Sequence, residues 1–242
     1  MKTTIRATFL ILLPIGLTLI YTGVLLWLGT YAKAHLPGFI QENPYLDQHA
    51  VYQTGAFVLV LAVLTLAYAL RPASFKEFFR AGHTGAPAGR LVWLGIKEGE
   101  RWKSVGWSML IIISVVTGIF MGMQLGQETP SWNRLFAWIP WILLFAAMNA
   151  VAEEVIFRFN LIVLLTGRMS AQAIYLISAV LFGLPHYAGM PNGLLGVLMA
   201  GVLGYVLAKS VVETKGMFWA WFIHFIQDVL IIGSMALMAG RH

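Results

Sequence analysis

The 242-residue sequence predicts an all-α, polytopic transmembrane helix bundle of about seven spans. Three observations lead there. Apolar residues make up 59% of the chain and charged residues only 11%, where soluble domains are nearer a quarter charged. The mean hydropathy is +0.78, carried by long apolar runs. The basic residues collect on alternate loops between those runs, as cytoplasmic loops of membrane proteins do. The net charge of +6 therefore marks inner loops and predicts no nucleic-acid partner. Cysteine is absent, which excludes disulfides, thiolate nucleophiles and cysteine metal ligands.

The first apolar run, residues 9–31, follows Lys2 and Arg6. A signal peptide has that charge order but a shorter apolar region of about 7–15 residues, so the run predicts a retained helix, kinked near Pro14 and Gly16. A polar loop over 32–50 precedes a second span at 51–70, ended by Arg71-Pro72. Residues 73–103 are the longest polar stretch. Within it Phe75, Phe78 and Phe79 share helical spacing beside Lys76 and Arg80, which predicts a short helix lying on the membrane surface. Gly82, Gly85, Pro87 and Gly89 then break the chain.

The third span is expected at 104–123. The loop through Glu128-Thr129-Pro130 leads to a fourth at 135–165, and a fifth follows at 170–186. A tight turn over 188–193 precedes a sixth span at 194–208. The stretch 209–215 is polar, and the seventh span covers 216–239. With the N-terminus inside, the inner segments collect twelve basic residues, from Lys2 to Lys215. The outer ones hold Lys33, Arg134 and Arg241. The C-terminus is then outside. The Trp residues at 27, 132, 138, 141, 219 and 221 read as interface anchors. Gly193, Gly196, Gly201 and Gly204 of the sixth span read as permitting close helix packing.

The fourth span is not uniformly apolar. It carries Glu153, Glu154 and Arg158. Three unpaired charges near the bilayer centre would cost about 8–10 kcal/mol on insertion scales, so the cluster must be paired, hydrated or used. Glu154 and Arg158 are four apart and can form an ion pair on one helix face. Glu153 lies about 100° round the helix from Glu154, outside that pair. The other ionisable residues in spans are His186, four after Phe182, and His224, four before Asp228. In the latter pair a carboxylate can orient an imidazole and fix its tautomer. A polarised water, a base and an oxyanion stabiliser suffice for peptide hydrolysis. Two His and a carboxylate are equally a zinc set, although the H-E-x-x-H motif common in soluble zinc proteases is missing.

Glu153-Glu154-x-x-x-Arg158, Phe182-x-x-x-His186 and His224-x-x-x-Asp228 together resemble the motifs of the CAAX-protease and bacteriocin-processing family. These are intramembrane glutamate proteases, historically classed with the metalloproteases, and they include the type II CAAX prenyl endopeptidases. The resemblance covers about 137–232, the last four helices. It implies a four-helix catalytic core within 104–242. Residues 1–103 would add two transmembrane helices and a basic interfacial segment. It further implies that Glu153 is the base activating water, that Glu154 with Arg158 positions it and balances charge, and that His186 and His224 hold the water or stabilise the oxyanion.

Asp228 stands where prenyl-protease members commonly carry Asn. An amide can donate to an oxyanion, and an ionised carboxylate cannot. Here Asp228 would be protonated, orient His224 or bind a metal. The expected chemistry needs no cofactor. The alternative is zinc held by some of Glu153, His186, His224 and Asp228. The expected partners are the lipid bilayer and a membrane-associated protein or peptide, and the expected location is a prokaryotic cytoplasmic membrane. Two other classes compete, a proton-coupled transporter and a non-catalytic membrane scaffold. The first lacks the repeated interrupted helices of alternating-access sites, and the second leaves the charge cost unexplained.

Overall fold

A computed structural model describes residues 2–40, 43–127, 130–189 and 191–239. The expected turn residues Glu128, Thr129 and Met190, and the terminal Arg241 and His242, lie outside that set. The regular elements among the described residues are helical. In chain order they form α1 (Lys2–Ala34), α2 (Pro44–Leu70), α3 (Pro72–Phe78), α4 (Trp102–Leu125), α5 (Leu135–Glu154), α6 (Asn160–Leu165), α7 (Ala171–Gly183), α8 (Gly193–Thr214) and α9 (Phe218–Ala239). A π-helical segment, Val155–Phe159, joins α5 to α6, and a 3₁₀ segment, Leu184–Ala188, extends α7. Among the described residues seven helical stretches are long and apolar enough to cross a membrane, with the fourth running Trp132–Leu165. This is a polytopic integral membrane protein. Exposed Leu, Val and Ile along α1, α2 and α4, such as Ile20, Val58 and Ile111, are what lipid-facing surfaces require.

Several boundaries differ from expectation. The second span starts at Pro44, not 51. Pro suits a first helical turn, and the preceding Asn43 caps it, its side-chain oxygen accepting from the Leu46 amide at 3.1 Å. The sixth span runs to Thr214, past its expected end at 208. There Lys209 pairs with Glu213 one turn on, so the polar stretch is solved within the helix. α3 is a helix as expected, but it does not merely lie on a surface. Phe78 is fully buried and Phe75 packs edge-on against Phe159 at 5.1 Å. Trp138 and Trp219 are core residues, the latter donating to the Thr84 carbonyl at 2.9 Å, whereas Trp27 and Trp132 are exposed as anchors should be.

The chain separates into two compact units. The first comprises Met1–Gly23, Val60–Gly106 and Glu153–Ala220. Its centre is the π segment with α6, whose residues from Asn160 to Leu165 are all buried. α7 and α8 pack closely because glycines meet backbone. A Cβ on Gly183 would stand 2.7 Å from the Val197 carbonyl oxygen, and one on Gly204 3.2 Å from Ala179 Cα. The loop after α3 is tied to α8 by Glu213. One carboxylate oxygen accepts from the Trp102 indole at 2.8 Å and from the Gly89 amide at 3.0 Å, while the other faces Lys209. The second unit comprises Val24–Leu59, Trp107–Ala152 and Trp221–His242. Its apolar core includes Leu46, Trp138, Ile142, Phe145, Ile232 and Ala236.

Candidate active site

Glu153 and Glu154 are the last two residues of α5. Directly after them the helix loosens. The Asn160 amide bonds the Val155 carbonyl, five residues back, which is the π pattern and a frequent mark of functional sites. Hydroxyl groups from other helices cover carbonyls of this segment. Ser178 Oγ donates to Phe157 O at 2.8 Å and Thr18 Oγ1 donates to Ile156 O at 3.2 Å. Both side chains are buried, where a carbonyl without a donor is costly.

The expected ion pair forms. Arg158 Nη1 lies 3.0 Å from Glu154 Oε1, with both residues almost wholly buried. The contact is close but poorly aligned for hydrogen bonding, so charge rather than a bidentate fork holds it. The guanidinium is also stacked over Phe182, its Cζ 3.7 Å from the ring centroid. Phe182 in turn packs against the His186 ring at 4.6 Å. The Phe-x-x-x-His motif thus ties the imidazole to the arginine through one aromatic ring. His186 Nδ1 is 2.7 Å from the Phe182 carbonyl oxygen. A carbonyl only accepts, so Nδ1 carries the hydrogen and Nε2 bears the lone pair of the neutral ring. Glu154 and Arg158 are sealed, whereas Glu153 and His186 are only half-buried.

The second unit holds the other motif. His224 and Asp228 are both buried on α9, with Nε2 and Oδ2 at 3.7 Å. That is ion-pair rather than hydrogen-bond spacing. Oδ2 accepts a hydrogen bond from Asn149 Nδ2 at 3.1 Å. The Asn149 carbonyl oxygen accepts from Gln53 Nε2 at 2.9 Å, and Gln53 is fully buried. Asn149 and Gln53 were not expected from the sequence. Their signal was an uncharged amide within an apolar run, one helical turn before Glu153 in the case of Asn149.

Contacts thus link Glu154, Arg158, Phe182 and His186 in the first unit, where Glu153 precedes Glu154 in the chain, and bring His224 beside Asp228 in the second. In neither unit, among the described residues, do three or more His, Asp or Glu side chains gather as a metal would need.

Comparison with known families matches residues 133–230 to one described as type II CAAX prenyl endopeptidase, Rce1-like. The matched segment contains every motif residue from Glu153 to Asp228. Comparison with curated proteins and with solved structures gives no match.

Proposed function

From the similarity of residues 133–230 to type II CAAX prenyl endopeptidases, we propose that this chain is an intramembrane endopeptidase cleaving membrane-associated proteins or peptides. The core is assigned to 104–242, with 1–103 adding two spans and a basic segment. Glu153 takes a proton from water as the water oxygen attacks the peptide carbonyl carbon. The attacking water also donates to the Nε2 lone pair of His186, and the resulting tetrahedral oxyanion is stabilised by an N–H of His224. Collapse breaks the C–N bond, and the proton held by Glu153 passes to the leaving amine. Arg158 balances the charge of Glu154 beside the base. Asn149 fixes the Asp228 carboxylate, and Asp228 steadies His224 on the same helix. No step uses a metal.

The single observation that carries the assignment is the unequal fate of two adjacent glutamates. Glu154 is sealed against Arg158, whereas Glu153 keeps partial access two residues before the π segment. A base that must reach water and substrate cannot be sealed. The test is Glu153→Gln in a reconstituted cleavage assay on one membrane-embedded peptide, with and without a chelator. The variant should fold normally and lose about 10²–10⁴-fold in activity, the usual worth of a positioned acid–base group. Full activity in Glu153→Gln overturns the assignment of the base. Loss of wild-type activity on chelation overturns the metal-free reaction.

A further inference from the structure

The basic loop between α3 and α4 carries a feature that the proposed hydrolysis does not use. Residues 91–96 fold back on themselves as a small hairpin. Leu91 N donates to Ile96 O at 2.9 Å and Ile96 N to Leu91 O at 3.1 Å. Between them Val92–Leu94 make one 3₁₀ turn. Gly95 closes it at φ +74°, a conformation glycine adopts without strain. Val92 and Trp93 stand at the tip, 68% and 57% exposed. Water would be an unfavourable surrounding for such a pair.

The tip lies against a membrane-crossing helix. Trp93 packs edge-on against Tyr205 at 5.6 Å, and Tyr205 belongs to membrane-crossing α8. Nine residues separate Tyr205 from the helix end at Thr214, a rise of about 13 Å. A residue beside Tyr205 is therefore level with the headgroup and upper acyl region. Non-helical backbone at such a depth needs its polar groups satisfied. Here the amides of Leu91, Leu94, Gly95 and Ile96 all bond within the hairpin, to Leu91, Val92 or Ile96 carbonyls. Around the apolar tip the loop exposes Arg90, Lys97, Arg101 and Lys103 against the acidic Glu98 and Glu100, an excess of cations.

The geometry points to a lipid-binding hairpin. Val92 and Trp93 insert among the acyl chains at the Thr214 end of α8, and the flanking cations hold anionic phospholipid headgroups. Tryptophan favours that boundary because its ring is apolar and its N–H is not, and basic residues near a membrane surface are attracted to anionic lipid.

The absence of native cysteine makes the test direct, since V92C, W93C and E98C each give one attachment site for a nitroxide. The full-length protein is reconstituted in vesicles of phosphatidylcholine with phosphatidylglycerol. Probes at 92 and 93 should collide with dissolved oxygen severalfold more, relative to an aqueous nickel chelate, than the probe at 98. Phosphatidylglycerol retained through purification, counted by native mass spectrometry, should fall severalfold in R90Q/K97Q. Nickel-dominated collisions at 92 and 93 would place the tip in water and overturn insertion. Shielding from both reagents would mean a protein occupant and overturn it equally. Unchanged lipid retention in R90Q/K97Q would overturn the headgroup assignment. None of these readouts depends on peptidase activity, so they stand or fall apart from the proposed hydrolysis.

Discussion

Replacing Arg158 by alanine should be among the most damaging single changes in this chain. Arg158 has no exposed surface, and its partner Glu154 retains 1%. Truncation strands a buried carboxylate, which typically costs about 3–5 kcal/mol. It also removes the guanidinium from the Phe182 face, a contact worth about 2 kcal/mol when desolvated. Taking only the first figure, and about 2–4 °C per kcal/mol for a chain of this size, melting should fall by about 6–20 °C. Thermal unfolding in detergent measures this. The double variant Arg158→Met with Glu154→Gln is the decisive companion, because it removes both charges and keeps the volume. It should melt well above Arg158→Ala, since it leaves no buried charge stranded and an unpaired amide costs less than an unpaired carboxylate. An unchanged melting temperature in Arg158→Ala, or a double variant no better than the single, would refute the account of a sealed pair.

Ser178→Ala leaves the Phe157 carbonyl without its hydroxyl donor. It should cost about 1–3 kcal/mol, read as a lower melting temperature that Ser178→Thr partly restores. Asn149→Leu should depress turnover more than substrate affinity, because it removes the donor to Asp228 Oδ2 rather than a substrate contact; a pure rise in KM would argue against a positioning role. Asp228→Asn should retain much of the activity, since its carbonyl oxygen can still accept from Asn149. Abolished activity restored by added zinc would instead make Asp228 a metal ligand. Glu213→Ala releases both Trp102 and Gly89 and should speed tryptic cleavage at Arg90 and Lys97 severalfold, as measured by limited proteolysis.

The number and type of spans were legible because runs of apolar residues leave few alternatives in a bilayer. So was the Glu154–Arg158 pair, which needs only a four-residue spacing and a dry environment. The helix ends were less so. Lys209 and Glu213 look like loop residues until one sees that each neutralises the other within α8. Phe78 looked like a membrane-facing aromatic, and only the contacts of α3 show it packed inside protein. The π segment left no periodic signal, because a single loosened turn within an apolar run changes no residue's polarity. Its only outward signs were Thr18 and Ser178, and a lone hydroxyl in a membrane helix usually satisfies its own preceding turn. Asn149 and Gln53 were hidden by their neutrality, since a search for charge passes over amides that only position it.

The π segment has a consequence for the lineage and the redesign of this protein. Loosening one turn accommodates one residue more than the regular winding would hold. Deleting a single residue between 155 and 159 would therefore restore regular α winding and leave the flanking helices in nearly their present register. Glu154 and Arg158 would still share a face at three-residue spacing, but the opened turn whose carbonyls Thr18 and Ser178 cover would be gone. Such a deletion would be silent to hydropathy and still erase the opened turn beside Glu153 and Glu154. Conversely, moving the glutamate motif into another scaffold as an ideal helix would carry over the letters without the winding. The transferable unit is the extra residue together with the hydroxyls of Thr18 and Ser178 that hold it open.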